Sequence, residues 1–360
     1  MTDHIVFEKK GGIGHILLNR PEALNALTGE MIDAMDAALD ECAADEDVKL
    51  VLVTSASEKA FCAGGDIKAM AEEAKAVHDG KAETGSYVDF FRREYALNTK
   101  IKRFEKPYVS IIDGLCMGGG VGISMHGSYR LVTENARFAM PEVKIGFFPD
   151  VGGGFLLSNM SGAMGTYLAL TARTIKGADM MALGLGTHFM ERPCIPHLID
   201  NLLSLDWSRS DVSSVLQATL SNYCEDQVPS SDLMSEKGKI DDVFKGAPLD
   251  EALSTLRDAG DDWHSDTLKT IEGMCPLSVR VAFDHVQNSV GLEFEEVMIA
   301  EYRISQYMIL QPDFYEGVRA LLIDKDNNPQ WSSDLTALPN DLYQKIQDEF
   351  SGEDLTFTEE

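Results

Sequence analysis

The sequence predicts an α/β fold followed by a helical C-terminal region. Residues 12–18 and 48–54 are apolar runs of strand length, and a helical pattern lies between them. The second run, VKLVLVT, is almost continuously apolar, which is typical of a strand buried on both faces. Strand, helix and buried strand in succession begin an α/β domain. Residues 194–275 and the tail from Pro276 instead have acidic, helical patterns.

The composition is strongly acidic, because 59 Asp and Glu against 31 Lys and Arg give a net charge of −28. This charge argues against nucleic acid or an anionic membrane as a partner. No apolar run approaches the ~20 residues of a membrane span. Six scattered cysteines without a C-x-x-C pair indicate a reducing compartment. The opening MTDHIVFEKK has the pattern of neither a signal nor a transit peptide, so we expect a cytoplasmic protein.

The first strand is predicted to end before Pro21, which lacks an N–H donor and restricts Arg20. Thr28 is the expected N-cap of the following helix. The apolar face of this helix repeats every three or four residues and consists of Met31, Met35, Leu39 and Cys42.

Small residues follow the second strand, in the segment Phe61-Cys62-Ala63-Gly64-Gly65-Asp66. Without side chains, backbone N–H groups can approach a ligand oxygen closely. The plainer alternative is an ordinary tight turn. Residues 69–86 are polar and contain two glycines, so we expect a mobile surface connection there.

Residues 87–104 are predicted to form a long helix with an aromatic face. Glu94 lies three or four residues from Phe90 and Phe91 and therefore shares that face. A carboxylate among aromatic residues is either paired or functional. The alternative is a glutamate at the edge of the face, with its carboxylate in water.

Residues 106–150 hold the densest group of candidate functional residues. Gly118-Gly119-Gly120 form a second glycine turn after a strand. If its strand neighbours the one before Gly65, one N–H from each turn can bind a single oxygen, as in an oxyanion hole. Glu142 and Asp150 each adjoin a proline and apolar residues, which favours a raised pKa and acid–base chemistry. The alternative is that both cap the helices that follow, Asp150 at residues 152–160.

Other kinds of site are not expected. The eight histidines form no H-E-x-x-H or other close pair, so we expect no metal. The sequence has no G-x-S-x-G elbow and no P-loop, and the glycines at 118–122 lack a dinucleotide-binding context.

Several segments resemble the crotonase (enoyl-CoA hydratase/isomerase) superfamily in order and spacing. They are Leu18-Asn19-Arg20-Pro21 with Leu24-Asn25-Ala26-Leu27, then Phe61 to Ile67, Gly118 to Gly120, and Met140-Pro141-Glu142. The resemblance covers residues 5–190 and implies a crotonase-like spiral of repeated ββα units. We expect a core over residues 1–193 that carries the active site, a helical insertion over 194–275 and a C-terminal helical region over 276–360. Members often assemble through C-terminal helices, so a homo-oligomer is a further expectation.

Further segments are similar to the members of this superfamily that hydrolyse 3-hydroxyisobutyryl-CoA. They are Phe90 to Tyr95, Met117 to Gly127, Phe147 to Gly154, Asp313 to Ala320 and Asp324 to Trp331. A hydratase of the superfamily has a glutamate where this chain has Gly122, and a glycine where it has Asp150. The resemblance therefore implies hydrolysis rather than hydration.

The resemblance also implies roles for single residues. The carbonyl oxygen of an acyl-CoA thioester would bind between the N–H groups of Gly65 and Gly119. Glu142 and Asp150 match catalytic positions. The residues that match substrate-binding positions are Glu94, Gly119, Glu142 and Asp150, and those beside the CoA arm are Asp66, Ile67 and Lys68.

The expected reaction is hydrolysis of a short branched 3-hydroxyacyl-CoA, foremost 3-hydroxyisobutyryl-CoA of valine catabolism. CoA is part of this substrate, so we expect no separate cofactor. Two alternatives stay open at this point, an enoyl-CoA hydratase or isomerase and a non-catalytic acyl-CoA-binding protein.

Overall fold

The computed structural model describes residues 2–82, 85–207, 211–225 and 227–357. The chain forms two compact units, and each draws on three segments. The first unit consists of Met1–Gly65, Ala96–Phe138 and Thr174–Met234, and the second of Asp66–Tyr95, Ala139–Arg173 and Ser235–Glu360. The expected division into residues 1–193, 194–275 and 276–360 stays a prediction.

Two sheets are built almost entirely from the first unit. Their strands are β1 (Ile5–Lys10), β2 (Ile13–Leu18), β3 (Leu50–Ser55), β4 (Ala60–Cys62), β5 (Tyr108–Ile112), β6 (Leu115–Met117), β7 (Tyr129–Thr133), β8 (Arg137–Ala139), β9 (Ile175–Lys176) and β10 (His188–Met190). The larger sheet has the order β1-β2-β3-β5-β7-β10 and is parallel except for β1. The predicted strands at 12–18 and 48–54 are confirmed as β2 and β3.

Both units contain helices. They are α1 (Gly29–Ala44), α2 (Ile67–His78), α3 (Tyr87–Arg103), α4 (Gly119–Gly122), α5 (Gly153–Ser158), α6 (Met164–Thr171), α7 (Gly177–Ala182), α8 (Ile195–Ser204), α9 (Val212–Leu220), α10 (Lys237–Phe244), α11 (Leu249–Ala259), α12 (Asp262–Glu272), α13 (Pro276–Asn288), α14 (Phe294–Met308), α15 (Pro312–Val318) and α16 (Leu342–Glu349). Shorter 3₁₀ turns lie at Pro21–Ala23, Glu142–Ile145, Arg192–Cys194, Leu233–Glu236 and Leu335–Ala337, and a π turn at Arg319–Ile323. The predicted α/β fold with a helical C-terminal region is confirmed. No helix among the described residues is long and apolar enough to cross a membrane.

The core of the first unit lies on the larger sheet. Aliphatic side chains of β2, β3, β5 and β7 pack against Leu198 and Leu202 of α8 and against Leu216 and Leu220 of α9. These side chains alternate along the strands, so one face of the sheet is covered by helices. The predicted N-cap of α1 is also confirmed, because the Thr28 hydroxyl accepts a hydrogen bond from the Met31 N–H at 3.3 Å.

The expectation of a mobile connection over residues 69–86 is wrong for most of its length. Helix α2 covers Ile67–His78, and its buried face consists of Met70, Ala71 and Ala74. The face packs within the second unit against α15, where the Tyr315 hydroxyl donates to the Ala74 carbonyl at 3.2 Å. Two alanines and one methionine make a narrow apolar stripe that the surrounding charged residues obscure in the sequence.

Candidate active site

The two glycine turns lie on adjacent strands of the smaller sheet, in the first unit. Strand β4 pairs in parallel with β6, and a glycine turn follows each strand. Gly64 has φ +112° and Gly118 has φ +47°, conformations that favour glycine. A Cβ on Gly64 would lie 3.5 Å from the Met117 carbonyl oxygen, so the turns are in contact. The sequence prediction made this proximity a condition of the oxyanion hole.

The N–H groups of Gly65 and Gly119 are available to a ligand. Gly119 is the first residue of α4, where N–H groups have no partner within the helix. Neither N–H donates to a carbonyl within the described part of the chain. Two such donors on touching turns are the elements of an oxyanion hole, and this role for Gly65 and Gly119 stays a prediction.

The buried side chain of Asn25 supports the first turn. Its amide nitrogen donates to the Phe61 carbonyl at 2.9 Å, and its amide oxygen accepts from the Arg20 N–H at 2.8 Å. The Leu27 N–H donates to the Gly64 carbonyl at 2.8 Å. The segment Leu24-Asn25-Ala26-Leu27 therefore positions the glycine turn.

The second unit gathers the three carboxyl groups that the sequence singled out. Glu94, Glu142 and Asp150 are only 2%, 6% and 5% exposed. One carboxyl oxygen of Glu94 and one of Glu142 are buried without a hydrogen-bond partner in the described residues. Buried carboxyl oxygens without partners are costly unless the group is neutral or functional.

Burial is the main cause of raised pKa values at all three groups. It raises the pKa of Glu94 well above its ordinary value, and the nearby Asp150 charge raises it further. The pKa of Glu142 is raised in the same way, first by burial and then by the charge of Asp150. Burial also raises the pKa of Asp150, to about 7. Because the charge of Asp150 acts on both glutamates, the three carboxyls lie near one another, which the sequence could not establish across Pro141 and Pro149.

Aromatic rings supply apolar surroundings for this group. The Phe91 ring of α3 stacks on Phe147 at a centroid distance of 5.6 Å. Phe147 also packs on Phe148 at 5.0 Å and on Phe314 at 5.6 Å. Phe147 and Phe148 immediately precede Pro149 and Asp150, so this part of the chain enters the aromatic core.

The structure contradicts the alternative role of Asp150 as a helix cap. Gly152 is the residue that precedes α5, and no side chain caps this helix. The Asp150 carboxylate instead accepts a hydrogen bond from the Tyr95 hydroxyl at 2.7 Å. Glu142 does not cap a helix either. It is the first residue of the 3₁₀ turn Glu142–Ile145, and Pro141 is the residue in the N-cap position.

Sequence reasoning missed three buried polar residues of the second unit, Tyr95, His285 and Glu301. Tyr95 lies in the predicted helix over residues 87–104, but the sequence does not show which group its hydroxyl contacts. Glu301 and His285 are fully buried and in contact, with 3.0 Å between Oε1 and Nε2. A signal for Glu301 exists, because it lies on the same face of α14 as the apolar residues Val297 and Ile304.

The residues expected beside the CoA arm lie at the start of α2. Asp66 immediately precedes the helix, and Ile67 and Lys68 are its first two residues. Lys68 is exposed, while Asp66 and Ile67 are half-buried. Their contact with CoA stays a prediction. Within the described ranges, no group of three or more His, Cys, Asp or Glu side chains is arranged to hold a metal ion.

Several known proteins are similar to this chain over most of its length. The mitochondrial 3-hydroxyisobutyryl-CoA hydrolase of Danio rerio is 42% identical over 328 residues, which cover 91% of this chain and 84% of that protein. The Homo sapiens protein of the same name is 40% identical over 331 residues, 92% of this chain and 84% of that protein.

Solved structures carry names of different activities. A carnitinyl-CoA dehydratase from Mycobacterium thermoresistibile has a TM-score of 0.90 and 33% identity, with all of both chains covered. An enoyl-CoA hydratase from Rhodobacter sphaeroides 2.4.1 has a TM-score of 0.86 and 32% identity, covering 99% of this chain and 100% of that chain. A family model described as enoyl-CoA hydratase/isomerase matches residues 13–346. The chain therefore belongs to the enoyl-CoA hydratase/isomerase family and has the crotonase fold.

Proposed function

We propose that this protein hydrolyses a short branched 3-hydroxyacyl-CoA thioester. The best candidate is 3-hydroxyisobutyryl-CoA, which would yield 3-hydroxyisobutyrate and free CoA in valine catabolism. The observation that carries the proposal is the buried group Glu94, Glu142 and Asp150, with Asp150 bound by Tyr95. The name shared by the relatives at 40–42% identity supports the same activity.

The N–H groups of Gly65 and Gly119 are assigned to the carbonyl oxygen of the thioester. Negative charge develops on this oxygen when the carbonyl is attacked, and two backbone donors stabilise it. Loss of one donor in such a site typically costs about 3 kcal/mol of transition-state stabilisation.

Glu142 has two routes to the same products. As a nucleophile, its carboxylate oxygen attacks the carbonyl, the CoA thiolate leaves and takes a proton, and water then cleaves the mixed anhydride. As a general base, Glu142 takes a proton from water, whose oxygen attacks the carbonyl directly. The tetrahedral intermediate then collapses, and the CoA thiolate leaves and takes that proton back from Glu142. Asp150 transfers a proton or binds the hydroxyl group of the substrate. Glu94 forms a hydrogen bond with the acyl group of the substrate.

A single turnover in ¹⁸O-labelled water tests for the anhydride route. Label in the Glu142 carboxyl after one turnover supports the anhydride, since water then attacks at either carbonyl of the anhydride. If label enters only the released acid, cleavage of an anhydride at its Glu142 carbonyl is excluded, which leaves the general-base route or an anhydride that water cleaves at its acyl carbonyl.

Hydration of an enoyl-CoA, or the reverse dehydration of a hydroxyacyl-CoA to an enoyl-CoA, is the second candidate, because the two structures at 32–33% identity are named for such activities. The residue at position 122 argues against it. The resemblance implies a glutamate at this position in a hydratase of the superfamily, whereas this chain has Gly122 there, as the last residue of α4.

The test is a panel of acyl-CoA thioesters followed with a thiol reagent and, in parallel, by absorbance of the enoyl thioester. We expect thiol release, fastest with 3-hydroxyisobutyryl-CoA. A loss or gain of enoyl absorbance without thiol release would show that the protein is a hydratase or an isomerase and not a hydrolase. Tight binding without any turnover would indicate a non-catalytic acyl-CoA-binding protein.

Three further points belong to the proposal. The reaction needs no cofactor, because water and the thioester supply every atom. A homo-oligomer assembled through C-terminal helices is also proposed, and sedimentation would test it. The predicted cytoplasmic location also stays a prediction, and the relatives named above are called mitochondrial.

A further inference from the structure

The turn that carries Asp150 has a backbone conformation that few residues adopt. Val151 has φ +53° and Gly152 has φ +80°. A β-branched residue with positive φ is a true outlier and persists only where its surroundings enforce it. The Gly153 N–H closes the turn by donating to the Asp150 carbonyl at 2.7 Å.

Glu301 of α14 binds this turn through the backbone. Its Oε2 accepts a hydrogen bond from the Gly152 N–H at 2.7 Å, and its Oε1 accepts one from the Gly154 N–H at 2.9 Å. The side chain is fully buried. One carboxylate therefore fixes two N–H groups directly after the strained Val151.

His285 of α13 supports Glu301 from the other side. Its Nε2 lies 3.0 Å from Glu301 Oε1, and its Nδ1 is buried without a partner in the described residues. Nε2 is therefore the nitrogen assigned the hydrogen, and it donates to the carboxylate. Phe148 packs edge-on against the imidazole at 5.5 Å, and Tyr343 stacks on it at 6.1 Å.

The approach of the turn to this pair depends on Gly154. A Cβ on Gly154 would lie 2.3 Å from His285 Nε2 and 2.6 Å from Ser289 Oγ. Any other residue would therefore push the turn away from Glu301. The glycine, the carboxylate and the imidazole form one fitted contact.

We propose that Glu301, supported by His285, is a positioning residue that holds the turn 150–154 and thereby fixes the Asp150 carboxyl for the reaction. The inference rests on the proposed function, because it assigns Asp150 a part in catalysis. Glu301 itself acts through the turn and is not assigned a contact with substrate.

The charge of Glu301 gives the proposal an electrostatic signature. Burial raises the pKa of Asp150, the Tyr95 hydrogen bond lowers it, and the Glu301 charge raises it. The other groups around these carboxyls are Glu94 on α3, Glu142 on its 3₁₀ turn and His285 on α13. Removing the Glu301 charge should therefore lower the pH at which Asp150 titrates.

Two substitutions of Glu301 test the effect of its charge and the effect of its side-chain length separately. Glu301→Gln keeps the length of the side chain and removes its charge, so the Asp150 midpoint in the pH profile of kcat/KM should move down by about one unit. Glu301→Asp keeps the charge but moves the carboxylate oxygens away from the N–H groups of the turn. The Asp150 midpoint should therefore stay the same, while kcat falls. Misplacement of a catalytic group costs about a hundredfold, and KM should change less than about threefold in both variants.

Asp179→Asn is the matched control in the first unit. Asp179 is also buried and accepts hydrogen bonds from the backbone N–H groups of Lys176 and Leu233, at 3.0 and 3.2 Å. It should lower thermal stability but leave kcat per folded molecule and the pH midpoint unchanged. A Glu301→Gln enzyme with the midpoint and kcat of the wild type would overturn the proposal. If this variant does not fold, wild-type kcat in Glu301→Asp overturns it equally.

The titration of Asp150 can also be measured without turnover, which tests the role of Glu301 separately from the proposed function. The Asp150 carboxyl band can be identified by infrared difference between wild type and Asp150→Asn, and then titrated. A lower midpoint in Glu301→Gln supports the contact even if no thioester in the panel is cleaved. Such a failure of turnover would count against the proposed function alone, whereas an unchanged infrared midpoint would count against Glu301.

Discussion

The Asp150 carboxyl is balanced between opposing neighbours. Burial raises its pKa to about 7, with the Tyr95 hydroxyl lowering the pKa and the Glu301 charge raising it. Both protonation states are therefore populated at neutral pH. A group that must accept and return a proton works best under this condition.

Tyr95→Phe tests this balance directly. The hydroxyl donates to the Asp150 carboxylate at 2.7 Å and stabilises the charged form, so its removal should raise the Asp150 midpoint above the wild-type value. The pH profile of kcat/KM measures this shift. Tyr167→Phe is the control, because its hydroxyl accepts from Arg173 rather than contacting the carboxyl group. A midpoint that stays constant or falls in Tyr95→Phe would contradict the assigned role.

Single residues also show where sequence reasoning ends. Glu142 and Asp150 could be chosen because their residue types and apolar neighbours suit acid–base chemistry. Glu301 could not, because its partners are backbone N–H groups of Gly152 and Gly154, which no residue type encodes. The one indication in the sequence that Glu301 is buried is its position on the apolar face of α14.

At the scale of elements, the junction between β4 and α4 determines the glycine site. A Cβ on Gly120 would lie 2.3 Å from the Cys62 carbonyl oxygen, which belongs to β4. The helix can therefore start directly against the neighbouring strand only when residue 120 is glycine. This contact sets where the N–H of Gly119 lies.

Gly120→Ala should disrupt this junction. Overpacking at a tight contact typically costs about 1–3 kcal/mol, so we expect that loss in the free energy of unfolding together with reduced activity. Gly238→Ala is the matched control, because this helical glycine of α10 has nothing within 4 Å of its added Cβ. The control should be neutral or stabilising by up to about 1 kcal/mol. Equal effects in urea titrations of both variants would argue against the junction.

The elements differ in how well a sequence can predict them. Strands β2 and β3 have six residues each and clear apolar runs, so their pattern is legible. Strands β4 and β6 have three residues each, too few to show a period, although they bring the two glycine turns together. The sequence therefore identified both turns but could state their proximity only as a condition.

For the whole molecule, the buried carboxyls link stability to pH. A carboxyl with a raised pKa binds its proton more tightly in the folded than in the unfolded chain. Its stabilising contribution is complete below the unfolded pKa and is lost as pH rises through the folded pKa, which for Asp150 is about 7. Glu94 and Glu142, whose pKa values are raised by burial, add to the same trend.

Asp150→Asn should therefore become relatively more stable as the pH rises. At pH 5 the wild-type carboxyl is largely protonated in the folded protein, whereas at pH 8 a buried charge opposes folding. The difference in unfolding free energy between variant and wild type, measured in urea at both pH values, should change in favour of asparagine. A difference that is constant, or that favours aspartate more at pH 8, would mean that Asp150 is not the buried acid described above.

Glu142 is proposed to be the nucleophile or general base of thioester hydrolysis, and thiol release from 3-hydroxyisobutyryl-CoA tests this role most directly. Loss of a positioned acid–base group costs about a hundredfold or more, so we expect at least this decrease in kcat for Glu142→Ala. Circular dichroism would establish that the variant is folded. A folded Glu142→Ala protein that releases thiol at the wild-type rate would contradict the claim.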